Sequence, residues 1–155
     1  MSVLIIGVGN ELRGDDGAGP RVAAALSALG YHADAHEGDG AELIEMWQGE
    51  DAVYLVDASS SGSAPGTRRR IDASETPLQS DFFRYSSHMF GLAEAIETAR
   101  ALGRLPKRVV VFAIEGADFA TGAVMTAEVT ASCDVVAADI ARELGPPSAE
   151  GGAGG

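Results

Sequence analysis

Residues 3–20 read VLIIGVGNELRGDDGAGP, and the architecture follows from this stretch. Val3 to Val8 is an unbroken apolar run, the pattern of a strand buried on both faces rather than a half-exposed, alternating one. Gly7 and Gly9 close the run, a loop carrying the adjacent acids Asp15 and Asp16 follows, and Pro20 suits the first turn of a helix. Val22, Leu26 and Leu29 then share one helical face, and Gly30 supplies the stop. A buried strand, a glycine-rich loop and a helix form the opening unit of a parallel α/β sheet.

The rest of the chain repeats that alternation. Ala33 to Asp39 reads as a second, weaker strand, followed by a short helix carrying Leu43, Ile44 and Trp47. Ala52 to Val56 is another buried run, with Asp57 at its carboxyl end. The segment SSSGSAPG is loop chemistry, and Thr67 to Ile71 suits a short edge strand. A helix is expected from about Phe90 to Leu102, a strand over Arg108 to Ile114, and a final helix from about Thr126 to Leu144. That last helix puts Val129, Cys133, Val136, Ile140 and Leu144 on one stripe. The expectation is a single domain over residues 1–145 with a twisted, mostly parallel sheet of about five strands between helices. Residues 146–155, rich in Pro, Gly and Ala, are expected to be a disordered tail.

Composition narrows the function without naming it. The chain has 155 residues, 46% of them apolar and 22% charged, the balance of a globular domain. A net charge of −12 argues against a sequence-independent nucleic-acid binder and against binding to anionic membranes, both of which need basic patches. Residues 1–65 hold eleven acids against two arginines, so the acidity concentrates in the half that supplies Asp15, Asp16 and Asp57. Most of those acids are expected on solvated faces, and the rest would favour a cationic ligand. One cysteine, Cys133, excludes an internal disulfide framework and a cysteine-based metal cluster. The apolar start is too short to span a bilayer, and a cytoplasmic protein, monomeric rather than oligomeric, is the expectation.

In parallel sheets, ligands bind beyond the carboxyl ends of the strands. Asp16 follows the first strand, Asp57 ends the third, and His88 in SSHMFGL precedes the Phe90 helix. Two carboxylates and an imidazole on converging loops suit one divalent transition metal such as nickel, zinc, iron or manganese. Each residue also has a plainer role. Asp16 would favour a helix N-terminus, Asp57 would bond loop amides, and His88 would sit at a helix entry. Their shared placement at one end of the sheet is what favours chemistry.

Other readings fare worse against particular residues. Gly7-x-Gly9 suggests a dinucleotide loop, but position 12 is Leu12, and two acids would repel a pyrophosphate. A receiver domain would have an acidic pair and a phosphoacceptor aspartate, yet Glu115 and Gly116 follow the late strand where that fold needs lysine. A serine hydrolase lacks its G-x-S-x-G elbow, and Cys133 lies on an apolar stripe. A non-catalytic metal chaperone or carrier using Asp16, Asp57 and His88 stays open.

GVGNELRGDDGAGPRV, LVDA with Asp57, and SSHMFGL with His88 together resemble the nickel–iron hydrogenase maturation endopeptidases, over residues 3 to about 145. The resemblance implies a mainly parallel sheet between helices and an enzyme that cuts a C-terminal extension from a hydrogenase large-subunit precursor once nickel is in place. It maps the metal-contacting acid onto Asp16, the second carboxylate onto Asp57 and the histidine onto His88. Some members carry glutamate where this chain has Asp16. Nickel would arrive with the precursor rather than reside in the protease. Gly7, Gly9 and Gly14 are expected to shape the loop and let substrate backbone approach, Asn10 to bond within the loop or to substrate, and Asp15 to support the loop or act as a nearby base.

Overall fold

A computed structural model describes residues 1–78 and 90–147. In chain order the elements are β1 (Val3–Val8), α1 (Ala18–Ala28), β2 (Ala33–His36), α2 (Gly40–Trp47), β3 (Ala52–Ser59), β4 (Arg68–Asp72), α3 (Leu92–Ala101), β5 (Arg108–Glu115) and α4 (Ala127–Leu144). The strands form one five-stranded sheet in the order β2-β1-β3-β5-β4. All neighbours run parallel except β4, which pairs antiparallel to β5 at the sheet edge. The expected α/β class and mostly parallel sheet are therefore what the protein adopts. Of the expected tail, residues 148–155 lie outside the described residues, as does His88.

Boundaries differ from the sequence reading in a few places, each with a local cause. The second strand stops at His36, where Gly38 turns the chain with a φ of 109°. The third runs on past Asp57 to Ser59, because β5 continues beside it as far as Glu115. The first helix begins at Ala18, two residues before Pro20, and a short 3₁₀ turn over Gly14–Gly17 leads into it.

Alternating side chains divide the sheet into two packed faces. Leu4, Ile6, Val8, Val53, Leu55, Val109, Val111 and Ala113 pack under α2 and α3. Ile5, Tyr54, Val56, Ala58, Val110, Phe112 and Ile114 pack under α1 and α4. Cys133 belongs to this second layer, 1% exposed, with Sγ 3.6 Å from the Ala18 carbonyl. Burial pushes its thiol up to about 11, so it is core and not a nucleophile. Arg70, Arg108 (2.9 Å) and the Tyr54 hydroxyl (2.7 Å) all donate to Glu143, tying the end of α4 to the sheet. No helix among the described residues is long and apolar enough to cross a membrane.

The strand order places the candidate functional end. From β1 the chain passes through α1 to β2 on one side and returns through α2 to β3 on the other. The crevice between the carboxyl ends of β1 and β3 is thus the point where the order reverses.

Candidate active site

Two close approaches build this crevice. A Cβ on Gly7 would lie 2.0 Å from the Gly19 carbonyl oxygen, and one on Gly19 would lie 2.4 Å from the Val8 oxygen and 2.5 Å from the Val56 oxygen. The start of α1 therefore rests directly on the backbones of β1 and β3, which only glycine permits. Gly7 thereby serves the packing of α1 on the sheet. Gly9, at φ +143°, turns the chain out of β1, and a Cβ there would meet the Asp16 carbonyl oxygen at 2.0 Å. The loop thus folds back so that Asp16 returns over the end of β1.

The loop holds its shape through its own polar groups. The Asn10 amide donates to Asp16 Oδ2 (2.9 Å), and Asn10 Oδ1 accepts from the Leu12 amide (2.9 Å). Gly14 opens the 3₁₀ turn beneath the Asp118 carbonyl. Asp15 and Asp16 then part company. Asp15 is fully buried, and its carboxylate accepts from the amides of Ala117 (2.8 Å), Asp118 (3.0 Å) and Thr126 (2.8 Å) and from the Thr126 hydroxyl (3.2 Å). It ties the first loop to the loop after β5 and to the start of α4, and it has no capacity left for base catalysis. Replacing Asp15 by alanine strands three amides and should cost about 3 kcal/mol, lowering Tm by roughly 6–12 °C. Thermal unfolding measures this, and a Tm within 2 °C of the parent would contradict it.

Asp16 is half-buried and Asp57 is 6% exposed. Val8 and Asp57 are partners in the β1–β3 register, so the loop leaving β1 and the Asp57 carboxylate share the same sheet end. Burial pushes the Asp57 carboxyl well up, the Asp16 charge pushes it further, and the Ala58 amide only partly opposes this. Burial also raises Asp16, against the Asn10 amide and the Arg13 charge. Among the described residues neither carboxylate is ion-paired. Two neighbouring, partly desolvated acids of this kind are chemically suited to a cation from outside the chain.

Among the described residues no third His, Cys, Asp or Glu completes a metal-binding group with them. His88, the third residue of the expected set, lies outside the described residues. Asp57 continues the alternation of Val53 and Leu55, so it belongs to the face covered by α2 and α3. Three residues, 89–91, separate His88 from Leu92 in the sequence, where α3 begins.

Two further residues at this end were not singled out by the sequence. His36 ends β2, accepts from the Gly38 amide at Nδ1 (2.9 Å) and meets Glu42 at Nε2 (3.0 Å). It lines a 290 Å³ hollow with Gly9, Asn10, Leu12 and Pro20, beside the first loop. Glu115 ends β5 as a buried acid, a signal visible as a lone charge closing the run VVVFAI. A larger hollow of 510 Å³ is walled by Arg68, Arg70, Phe112 and α4 residues, on the β4 side of the sheet.

Comparison with known proteins points in one direction. Residues 38–143 match the sequence family described as Hydrogenase maturation protease. The Hydrogenase 2 maturation protease of Escherichia coli is 30% identical over 120 residues, 74% of this chain and 73% of that protein. The hydrogenase expression/formation protein HupD of Thiocapsa roseopersicina is 28% identical over 118 residues, 73% of this chain. The matched region spans only 53% of that HupD and 60% of the one from Rhizobium leguminosarum. Among solved structures, the hydrogenase maturating endopeptidase HybD of Escherichia coli superposes with a TM-score of 0.75 at 26% identity, over 94% of each chain. HybD of Thermococcus kodakarensis gives 0.68 at 28% identity, over 93% of this chain and 99% of its own.

Proposed function

Because the chain belongs to the hydrogenase maturation protease family, we propose that it is an endopeptidase that removes the C-terminal extension from a nickel-loaded hydrogenase large-subunit precursor. The observation that carries this reading is the pair Asp16 and Asp57, two carboxylates raised by burial at the reversal point of the sheet without an ion partner among the described residues. Nickel enters as part of the substrate, and Asp16, Asp57 and His88 are the residues proposed to meet it.

Peptide hydrolysis needs a polarised carbonyl and an activated water, both of which a metal can supply. The protein's share is placement. Asp16 is held by the Asn10 amide and by the turn at Gly9, and Asp57 by strand pairing on both sides. A cation between the two acids compensates both the burial and the Asp16 repulsion that raise Asp57, so the loaded precursor gains binding energy that the empty one lacks. This gives cleavage a built-in test of nickel loading. Asn10, beside the hollow at the first loop, is proposed to bond substrate backbone with the atoms its turn leaves free.

The test is direct. Purified protein is incubated with nickel-loaded and with nickel-free precursor, and shortening of the large subunit is followed by gel mobility. The loaded precursor should be cut at least about tenfold faster, the factor expected for about 1.4 kcal/mol of differential binding. Equal rates would overturn the sensing role. In the same assay His88→Ala should process more slowly, and an unimpaired variant would remove His88 from the site.

A further inference from the structure

Glu115 stands at the carboxyl end of β5, 3% exposed, and the mechanism above leaves it without a task. It continues the alternation of Val109, Val111 and Ala113, so it belongs to the same sheet face as Asp57. The β3–β5 register pairs Asp57 with Ala113 and Ser59 with Glu115, which puts the two acids on neighbouring strands two positions apart. Unlike Asp57, Glu115 is fully occupied. Its Oε1 accepts from the hydroxyls of Ser59 (3.0 Å) and Ser61 (2.8 Å), and its Oε2 from the amides of Ser61 (2.9 Å) and Gly62 (3.1 Å).

The backbone around Glu115 closes the same loop from both ends. Its carbonyl accepts from the Gly66 amide (2.7 Å), its amide donates to the Thr67 carbonyl (2.9 Å), and the Gly116 amide donates to the Ser59 carbonyl (3.0 Å). The loop in question, SSSGSAPG, has little apolar surface with which to order itself, and glycine and serine make its ordering costly in entropy. Charge-assisted hydrogen bonds to a buried carboxylate are the strong alternative.

We propose that Glu115 is a positioning residue for the cleavage reaction, pinning the loop that leaves β3 and so fixing the strand end that carries Asp57. This rests on the endopeptidase reading given above. Asp57 lies two residues before Ser59, the first residue Glu115 holds. Release of that loop lets the end of β3 fray, and a displacement of about 1 Å at a reacting group can cost about a hundredfold in rate.

Glu115→Gln tests this, because it keeps the size of the side chain but removes the charge and leaves one accepting oxygen where two now take the bonds from Ser59, Ser61 and Gly62. With nickel-loaded precursor as substrate, the variant should lose at least about tenfold in kcat while KM changes by less than about twofold. Thermal unfolding should show it folded at the assay temperature, and the Ser61 and Gly62 amides should exchange with solvent at least about tenfold faster than in the parent. Ser61→Ala, which removes one hydroxyl donor, should have a smaller effect that adds less than fully to Glu115→Gln. A folded Glu115→Gln with unchanged kcat, or with unchanged exchange at Ser61 and Gly62, overturns the proposal. If the parent itself leaves the precursor whole, the endopeptidase reading fails, and amide exchange still decides separately whether Glu115 holds the loop.

Discussion

Asp57→Asn should abolish most processing of the nickel-loaded precursor, by about a hundredfold or more, while making the protein itself more stable at neutral pH. The two effects have one origin. Burial and the Asp16 charge raise the Asp57 carboxyl in the folded state, so folding favours its protonated form. That contribution to stability is fully present below the carboxyl range of the unfolded chain and is lost as pH rises through the raised folded value. Asparagine has the shape of the protonated acid and carries no charge to desolvate. Its variant should therefore unfold at higher temperature than the parent above that pH, and the difference should shrink on the acid side.

Processing should run the other way. A cation is bound by the deprotonated carboxylate, so cleavage by the parent should rise with pH through the same interval in which stability falls. Opposite pH trends in the two measurements are the signature of a site held in a strained charge state for function. A less stable Asp57→Asn protein, or one with undiminished cleavage, would contradict the assignment.

Gly19→Ala should be among the most damaging single-methyl changes in the fold. The added Cβ would lie within 2.6 Å of the Val8 oxygen, the Val56 oxygen and the Val8 nitrogen, all backbone atoms of central strands that cannot move aside. Helix α1 must lift from the sheet, which should cost about 4 kcal/mol and lower Tm by roughly 8–16 °C. Gly49→Ala is the informative contrast. Gly49 has φ +80° and nothing within 4 Å of its missing Cβ, so the variant should lose only about 1 kcal/mol through backbone conformation. Denaturant unfolding of the two variants compares these costs, and equal losses would refute the close-packing account.

The sheet was readable in the chain because its central strands are buried on both faces and so appear as continuous apolar runs. VLIIGV, AVYLV and RVVVFAI left little choice, and the carboxyl ends of two of them pointed to Asp16 and Asp57. The division of labour between Asp15 and Asp16 was not readable. Successive side chains in a 3₁₀ turn point about 120° apart, so adjacent identical residues face opposite environments. The donors that occupy Asp15 also come from residues 117, 118 and 126, a hundred positions along the chain. The task of Glu115 was hidden for the same reason, since its partners Ser59, Ser61 and Gly62 precede it by more than fifty residues. The arginines of β4, by contrast, marked an edge strand correctly, because charge there discourages unwanted pairing.

The proposed activity is cleavage of the loaded precursor rather than exchange of metal with it. Purified protein and nickel-loaded large-subunit precursor, mixed at a catalytic ratio and followed by intact mass together with nickel content, separate the two. Cleavage gives a shortened large subunit that retains its nickel and a released C-terminal peptide, both formed about a hundredfold or more slowly with Asp57→Asn. An uncut precursor whose nickel passes to the protein in stoichiometric amount would contradict it.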